Sequence, residues 1–249
     1  MEESKTTKDV HFSDGSYSDS RKKLHDEIIQ MLIRDKGSNE EVGVKEALII
    51  GGGSGSGKSY VVEEIIGKDG YVIIDADIIK ELIPEYRIQK LKNKNTAADI
   101  VHPESSDIAL SLLDYTISKE ESFIYDGTMK NKQKYFKILK KLQSKGYTTQ
   151  MVIIDADLEV AIQRTIDRFA DPDDGRFVPR EKVIESNRLI SNSFIELKGL
   201  VDSYSVFDNS INGEEPRIIA YKDPDEEEVI LSQEAYDKFL KKSNLLGSS

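Results

Sequence analysis

The chain has no cysteine, so no disulfide framework holds it and no thiolate serves as nucleophile or metal ligand. Histidine is scarce as well. His11, His25 and His102 are scattered at no ligand spacing, which leaves a metal site other than magnesium without support. No apolar run approaches the roughly 20 residues of a membrane helix. The opening "MEESKTTKDVHFSDGSYSDS" lacks the apolar stretch of a secretory signal. Positive charge is in deficit: 35 Lys and Arg against 46 Asp and Glu give a net charge of −11. Such a surface repels phosphate backbones and anionic lipid, so neither nucleic acid nor membrane is an expected partner. These absences fit a protein of a reducing cytoplasm.

What is present is enough material for an α/β domain: 249 residues, 38% of them hydrophobic. Residues 1–20 are polar and rich in Ser and Asp, and are expected to form a flexible tail whose removal changes little. Residues 21–44 read as an amphipathic helix and linker, with Leu24, Ile28 and Leu32 on one face and Gly37 as its stop. From 45 to 222 short apolar segments such as "ALIIGG", "YVIID", "SFIYDG" and "TTQMVIID" alternate with helical ones. Two late strands, "YSVFDN" and "RIIAYK", close the series. That rhythm predicts a mostly parallel sheet flanked by helices. Residues 223–249 read as an acidic linker and a short helix.

The sharpest local signal is "GGGSGSGKS", placed between a strand and a helix. Its spacing Gly52-x-x-x-x-Gly57-Lys58-Ser59 lets backbone N–H groups converge on a phosphate at the positive end of the helix. Gly53, Ser54, Gly55 and Ser56 complete the cradle, Lys58 reaches the β- and γ-phosphates, and the Ser59 hydroxyl serves Mg²⁺. A loop of this kind says only that a nucleoside triphosphate binds. The Asn-Lys-x-Asp guanine reader of GTPases is missing, as is the strand ending in Asp-Glu of motor ATPases. What remains is a small-molecule kinase pattern with ATP and Mg²⁺: a phosphate loop, an acid after the next strand, and a late arginine-bearing lid.

The string "VIIDAD" occurs twice, at residues 72–77 and 152–157. The first copy follows the phosphate-loop helix, which puts its acids at the carboxyl edge where open α/β sheets bind ligands. Asp77 is the candidate that orients an acceptor hydroxyl and takes its proton, and Asp75 the candidate for the Mg²⁺ shell. The plainer reading of Asp77 is a helix N-cap for "IIKELI". In the second copy, Asp157 reads as an ordinary N-cap of "LEVAIQRTIDR".

The ordered set "GGSGSGKS", "IDADIIKELIPEY", "VHPESSDIA" leading into "IYDGT", and "RTIDRFADPDDGRFVP" resembles the zeta toxin kinases of bacterial toxin–antitoxin systems, over residues from about 48 to 180. The resemblance implies a P-loop kinase fold that phosphorylates a sugar hydroxyl of UDP-N-acetylglucosamine with ATP, and an antitoxin protein as partner. By position it places the catalytic acid on Asp77, the loop lysine on Lys58, nucleotide-side arginines on Arg168 and Arg176, and an acidic-Gly-Thr turn on Asp126, Gly127 and Thr128. The residues agree: Arg164 and Arg168 are four apart on one helix face, and Arg176 follows a Pro/Gly-rich turn, as suits a closing lid. Surface pairing with Asp167, Asp171 and Asp173 is their plainer reading.

Two departures fall on the acceptor side. Ile83 stands before Pro84 where the family has His, and Leu110 stands where it has a carboxylate. His102, Glu104, Ser105 and Ser106 are the expected replacement contacts. An NAD-like dinucleotide, another metabolite or an antibiotic is therefore an alternative acceptor. A nucleotide-dependent protein interaction module is the alternative outside enzymes. The lysine-rich "KNKQKYFKILKK" reads as a solvated helix with one apolar stripe rather than a nucleic-acid patch.

Overall fold

The computed structural model describes residues 5–36, 44–170 and 178–244. In chain order the elements are α1 (Thr7–His11), β1 (Phe12–Ser13), β2 (Ser16–Tyr17), α2 (Asp19–Arg34), β3 (Glu46–Gly52) and α3 (Lys58–Tyr60), which continues as a π-helical turn over Val61–Ile66. Then come β4 (Val72–Asp75), α4 (Ala76–Leu82), α5 (Pro84–Lys92), α6 (Lys94–Ser118), β5 (Phe123–Gly127), α7 (Lys132–Ser144), β6 (Thr148–Asp155) and α8 (Leu158–Ala170). The chain closes with α9 (Arg180–Leu197), β7 (Ser203–Asp208), β8 (Arg217–Lys222), β9 (Val229–Ile230) and α10 (Gln233–Lys241). It divides into two compact units, one from Met1–Glu40 with Asp69–Phe123, the other from Glu41–Lys68 with Ile124–Ser249.

The larger unit carries the sheet, in the order β5-β3-β6-β7-β8-β9. Strands β3, β6 and β7 run parallel, with Gly52 opposite Ile154 and Asp155 opposite Asp208. β8 and β9 return antiparallel. The central strands have no solvent face: Ala47, Ile49, Ile50, Ile153 and Ile154 are all fully buried. That is why they read as unbroken apolar runs rather than alternating ones. Because three neighbours run parallel, their carboxyl ends, at Gly52, Asp155 and Asp208, share one edge.

The smaller unit departs from expectation at both of its segments. Residues 5–17, expected within a flexible tail, form a capped helix and a hairpin. Thr6 closes a capping box with Asp9, the Thr7 side chain is buried, and Tyr17 donates to Asp107 at 2.7 Å. The reason is long-range: the partners of this polar stretch lie on α6, about ninety residues on. Gly37, the expected helix stop, lies outside the described residues, as do 1–4 and 245–249.

The second departure is α6 itself. Local propensity makes Pro103 a helix boundary, yet α6 begins at Lys94 with Asn93 as cap and runs through Pro103. Proline inside a helix costs about 3 kcal/mol. Burial of Ala97, Ile100 and Val101 on one side and Ile108, Leu112 and Leu113 on the other outweighs it.

Candidate active site

In the larger unit β3 ends at Gly52, and the loop turns back into α3 at Lys58. Gly55 and Gly57 have φ of 79° and 87°, where a side chain would be strained. A Cβ on Gly55 would also strike the Ala161 carbonyl, and one on Gly57 the Asn209 amide. The loop is held from outside by side chains. Ser54 N–H donates to Ser186 Oγ at 3.0 Å, Arg164 Nη1 reaches the Gly55 carbonyl at 3.5 Å, and Asn209 Nδ2 donates to the Ser56 carbonyl at 2.8 Å. Ser56, expected in the cradle, is fully buried, with its N–H on the Gly53 carbonyl and its own carbonyl accepting from Asn209.

Beside the loop, Lys58 Nζ lies 3.6 Å from Asp126 Oδ1, at the end of β5. The corner that follows is tightly made. Met129 holds a left-handed φ of 46°, its side chain is fully buried, and it packs against Gly51. That corner leaves Thr128 exposed. It also sets Lys130 half-buried near Lys58 and Lys182. Burial, then those two lysines, pull its pKa down, while Glu185 pulls it up. Arg164 is pulled down by burial and is oriented by Asn212, which accepts from its Nε at 2.8 Å. Arg168 is half-buried one turn further along α8. Arg176 lies outside the described residues.

The two copies of the hexapeptide behave differently. In the second, Asp155 is buried and its carboxylate is gripped by Lys242 Nζ at 2.7 and 2.8 Å. Burial pushes its pKa up to about 6 against the pull of Lys242, with Asp208 adding to the rise. Asp157 is exposed, and its carbonyl accepts Ala161 N–H at 2.9 Å, the bond that opens α8. In the first copy, within the smaller unit, the helix begins at once. Asp75, expected to serve a metal, is the N-cap of α4 and accepts the Asp77 N–H at 2.7 Å. Asp77 is therefore not the cap. It sits in the first turn, exposed, with Lys80 Nζ donating to it at 2.6 Å.

The expected acceptor contacts on α6 do not gather. Glu104 and Ser105 are fully buried, Ser106 is half-buried, and only His102 is exposed among the four. The Glu104 carboxylate takes Arg21 Nη2 at 2.7 Å and His25 Nε2 at 2.6 Å. Arg21 also bonds Glu85 through two nitrogens at 2.9 Å each. Glu104 is thus a packing residue of the smaller unit rather than a substrate contact. Ser105 donates to the His102 carbonyl at 3.0 Å. Pro84 opens α5 as its first residue, and Ile83, in place of the family's His, is fully buried.

The sequence reading passed over Ser186, Lys130, Asn209 and Asn212. The asparagines had a signal: "DNSIN" follows a parallel strand at the ligand edge. Ser186 had none, since it is one polar residue within a helix.

A mostly parallel sheet with a glycine loop and lysine at the strand-to-helix turn defines a phosphate-loop α/β protein of the kinase type. The zeta toxin family matches residues 30–220. The chain belongs to the zeta toxin family of kinases. Among curated proteins it is 26% identical, over 71% of its length, to a calmodulin calcium-dependent NAD kinase of Arabidopsis thaliana. It spans 42% of that relative. Similar solved folds include AvrRxo1-ORF1:AvrRxo1-ORF2 with sulphate ions, at TM-score 0.74 and 17% identity, covering 99% of this chain and 85% of that one. The same pair with ATP aligns at 0.73 and 16%, covering 99% and 84%. The PezAT toxin–antitoxin system of Streptococcus pneumoniae aligns at 0.64 and 19%, covering 78% and 80%. No described helix is long and apolar enough to cross a membrane.

Proposed function

We propose that the chain is a cytoplasmic, ATP-dependent phosphotransferase that moves the γ-phosphoryl group onto a sugar hydroxyl of a nucleotide-type metabolite. The observation that carries this reading is the phosphate loop with Lys58 set 3.6 Å from Asp126 at the strand edge. The acceptor oxygen forms a bond to the γ-phosphorus, the bond to the β,γ-bridging oxygen breaks, and ADP leaves. Asp77 orients the hydroxyl and takes its proton. Lys58, with Arg164, Arg168 and Arg176, neutralises charge on the phosphoryl oxygens.

Mg²⁺ fits the donors at hand, which are hard oxygens. No cluster of three His, Asp or Glu occurs among the described residues, as suits an ion held largely by phosphates. Ser59 and Asp126 would hold it, with Asp75 a weaker candidate because its carboxylate caps α4. When bound, the ion spreads the charge of the phosphates.

UDP-N-acetylglucosamine is the acceptor that the family resemblance implies. A second reading, an NAD-like dinucleotide, is favoured by the NAD kinase among the relatives and by the acceptor-side residues. Ile83 is buried, Leu110 replaces a carboxylate, and Glu104 is engaged by Arg21. Thr128 in the larger unit, and Pro84 and His102 in the smaller one, are exposed. An antitoxin-type protein partner belongs to this reading, since one of the similar solved structures is of a toxin–antitoxin system. Labelled ATP supplied with UDP-N-acetylglucosamine, with NAD, or with a metabolite extract tests the proposal by mass spectrometry of the product. Label on a metabolite supports a kinase; label only in inorganic phosphate contradicts it.

A further inference from the structure

A loop that converges its N–H groups on an anion must turn carbonyls outward, and each buried one needs a donor of its own. The Gly53 carbonyl is met by Ser56 N–H at 3.1 Å, and the Gly55 carbonyl by Arg164 at 3.5 Å. The Ser56 carbonyl is met by the Nδ2 of Asn209 at 2.8 Å. Asn209 is the first residue after β7 and is itself buried. Its own N–H donates to the Asp155 carbonyl at 2.8 Å. The residue therefore spans from the loop to the end of β6.

Asp155 is seated in turn from the C-terminal segment. Lys242, buried in the turn after α10, holds both of its carboxylate oxygens and donates to the Ala156 carbonyl at 2.5 Å. A buried ion pair is weak evidence of stabilisation, since desolvation offsets much of its attraction. Its distinctive effect is to fix position, here at the end of the strand to which Asn209 is tied.

We propose that Asn209 is a positioning residue of the nucleotide loop, seated by the Lys242–Asp155 pair, so that the C-terminal turn sets the geometry in which the loop receives phosphate. The proposal rests on the nucleotide-binding reading above. It accounts for the residue type. An aspartate of the same shape would turn an acceptor toward the Ser56 carbonyl, and the close approach of Gly57 leaves no room for a longer amide.

The test measures ATP affinity, turnover at saturating ATP and thermal midpoint in the full chain, for wild type, Asn209→Asp, Asn209→Ala, Lys242→Met, Lys242→Arg and Lys58→Ala. Losing the donor to a buried carbonyl should weaken ATP binding on the order of tenfold in both Asn209 variants. Turnover at saturation should stay near wild type, because the interaction is made equally before and during transfer. The thermal midpoint should fall by only a few degrees for the lost buried bond, too little to unfold the protein at the assay temperature. Lys242→Met should show the same split between affinity and turnover at smaller size, with a clear drop in thermal midpoint because Asp155 is left buried without its cation, and Lys242→Arg should restore both. If Asn209→Asp fails to fold, Asn209→Ala decides. Unchanged ATP affinity in the folded Asn209 variant, or a loss only in proportion to stability, overturns the proposal. An unchanged Lys242→Met overturns its C-terminal half. The nucleotide reading itself fails separately, if Lys58→Ala binds ATP as wild type does.

Discussion

Replacing Arg21 with Met should destabilise the smaller unit strongly at neutral pH and much less in acid. Arg21 contributes charged hydrogen bonds to Glu104 and a two-nitrogen bond to Glu85, and the Glu104 side chain has no solvent exposure. Removing one partner of a buried ion pair costs about 3–5 kcal/mol, because the other is left charged in a dry site. At about 2–4 °C per kcal/mol for a chain of this size, the melting midpoint should fall by roughly 10 °C. The pH dependence follows from Glu104. Burial alone would raise its pKa, but hydrogen bonds from Arg21, His25 and Thr7 and the Arg21 charge outweigh burial and hold it at about 2, against 4.5 in the unfolded chain. A depressed carboxylate contributes stability that is full above about 4.5 and is lost as the pH falls toward 2. In Arg21→Met the group protonates readily, so the gap to wild type should be widest near pH 7 and narrow below pH 4.5. Thermal melts followed by circular dichroism at pH 7.5, 5.5 and 4 would show this. A variant that melts with wild type at pH 7.5, or a gap that does not change with pH, would refute the reasoning.

Removal of residues 1–17 should lower the melting midpoint by several degrees, because it strips the capped helix and the Tyr17–Asp107 bond; an unchanged melt would restore the flexible-tail reading. Asp77→Asn should slow transfer by about 10²–10⁴-fold with ATP affinity retained. Asp157→Asn should leave rate and stability near wild type, since asparagine caps a helix about as well as aspartate. Equal losses in the two would show that the second hexapeptide also faces substrate. Asp155 should titrate near 6 in the folded wild type and higher in Lys242→Met, where the cation that opposes burial is gone. Carboxyl chemical shifts across pH would detect an unmoved titration and so contradict the pairing. Because its pKa is raised on folding, Asp155 stabilises most below about 3.8, and this contribution is lost as pH rises through about 6.

What the sequence made legible is what local patterning controls. The phosphate loop, the strands ending at Gly52 and Asp155, and α8 with Arg164 and Arg168 each follow from a run of neighbouring residues. Even the contrast between the two hexapeptides was partly visible, since "DIIKELI" begins directly after the first. Their acids were read less well. Asp75 turned out to be the cap, and Asp155 depends on a lysine 87 residues away. Glu104 failed as a substrate contact for the same reason, because Arg21 lies 83 residues before it. Pro103 looked like a helix boundary until tertiary packing overrode its propensity. Asn209 acts through a carbonyl 153 residues upstream, and no window of sequence contains both.

The central claim is that the glycine loop and Lys58 deliver a phosphoryl group to a metabolite hydroxyl. The direct measurement is transfer of label from γ-labelled ATP in the presence of Mg²⁺ and a metabolite extract, with wild type and Lys58→Ala compared side by side. Wild type should place label on a sugar-bearing nucleotide metabolite, and Lys58→Ala should lose most of that transfer, because a main cationic contact to the β- and γ-phosphates is gone. Near wild-type labelling by Lys58→Ala, or no labelled metabolite with the folded wild-type protein, would contradict the account.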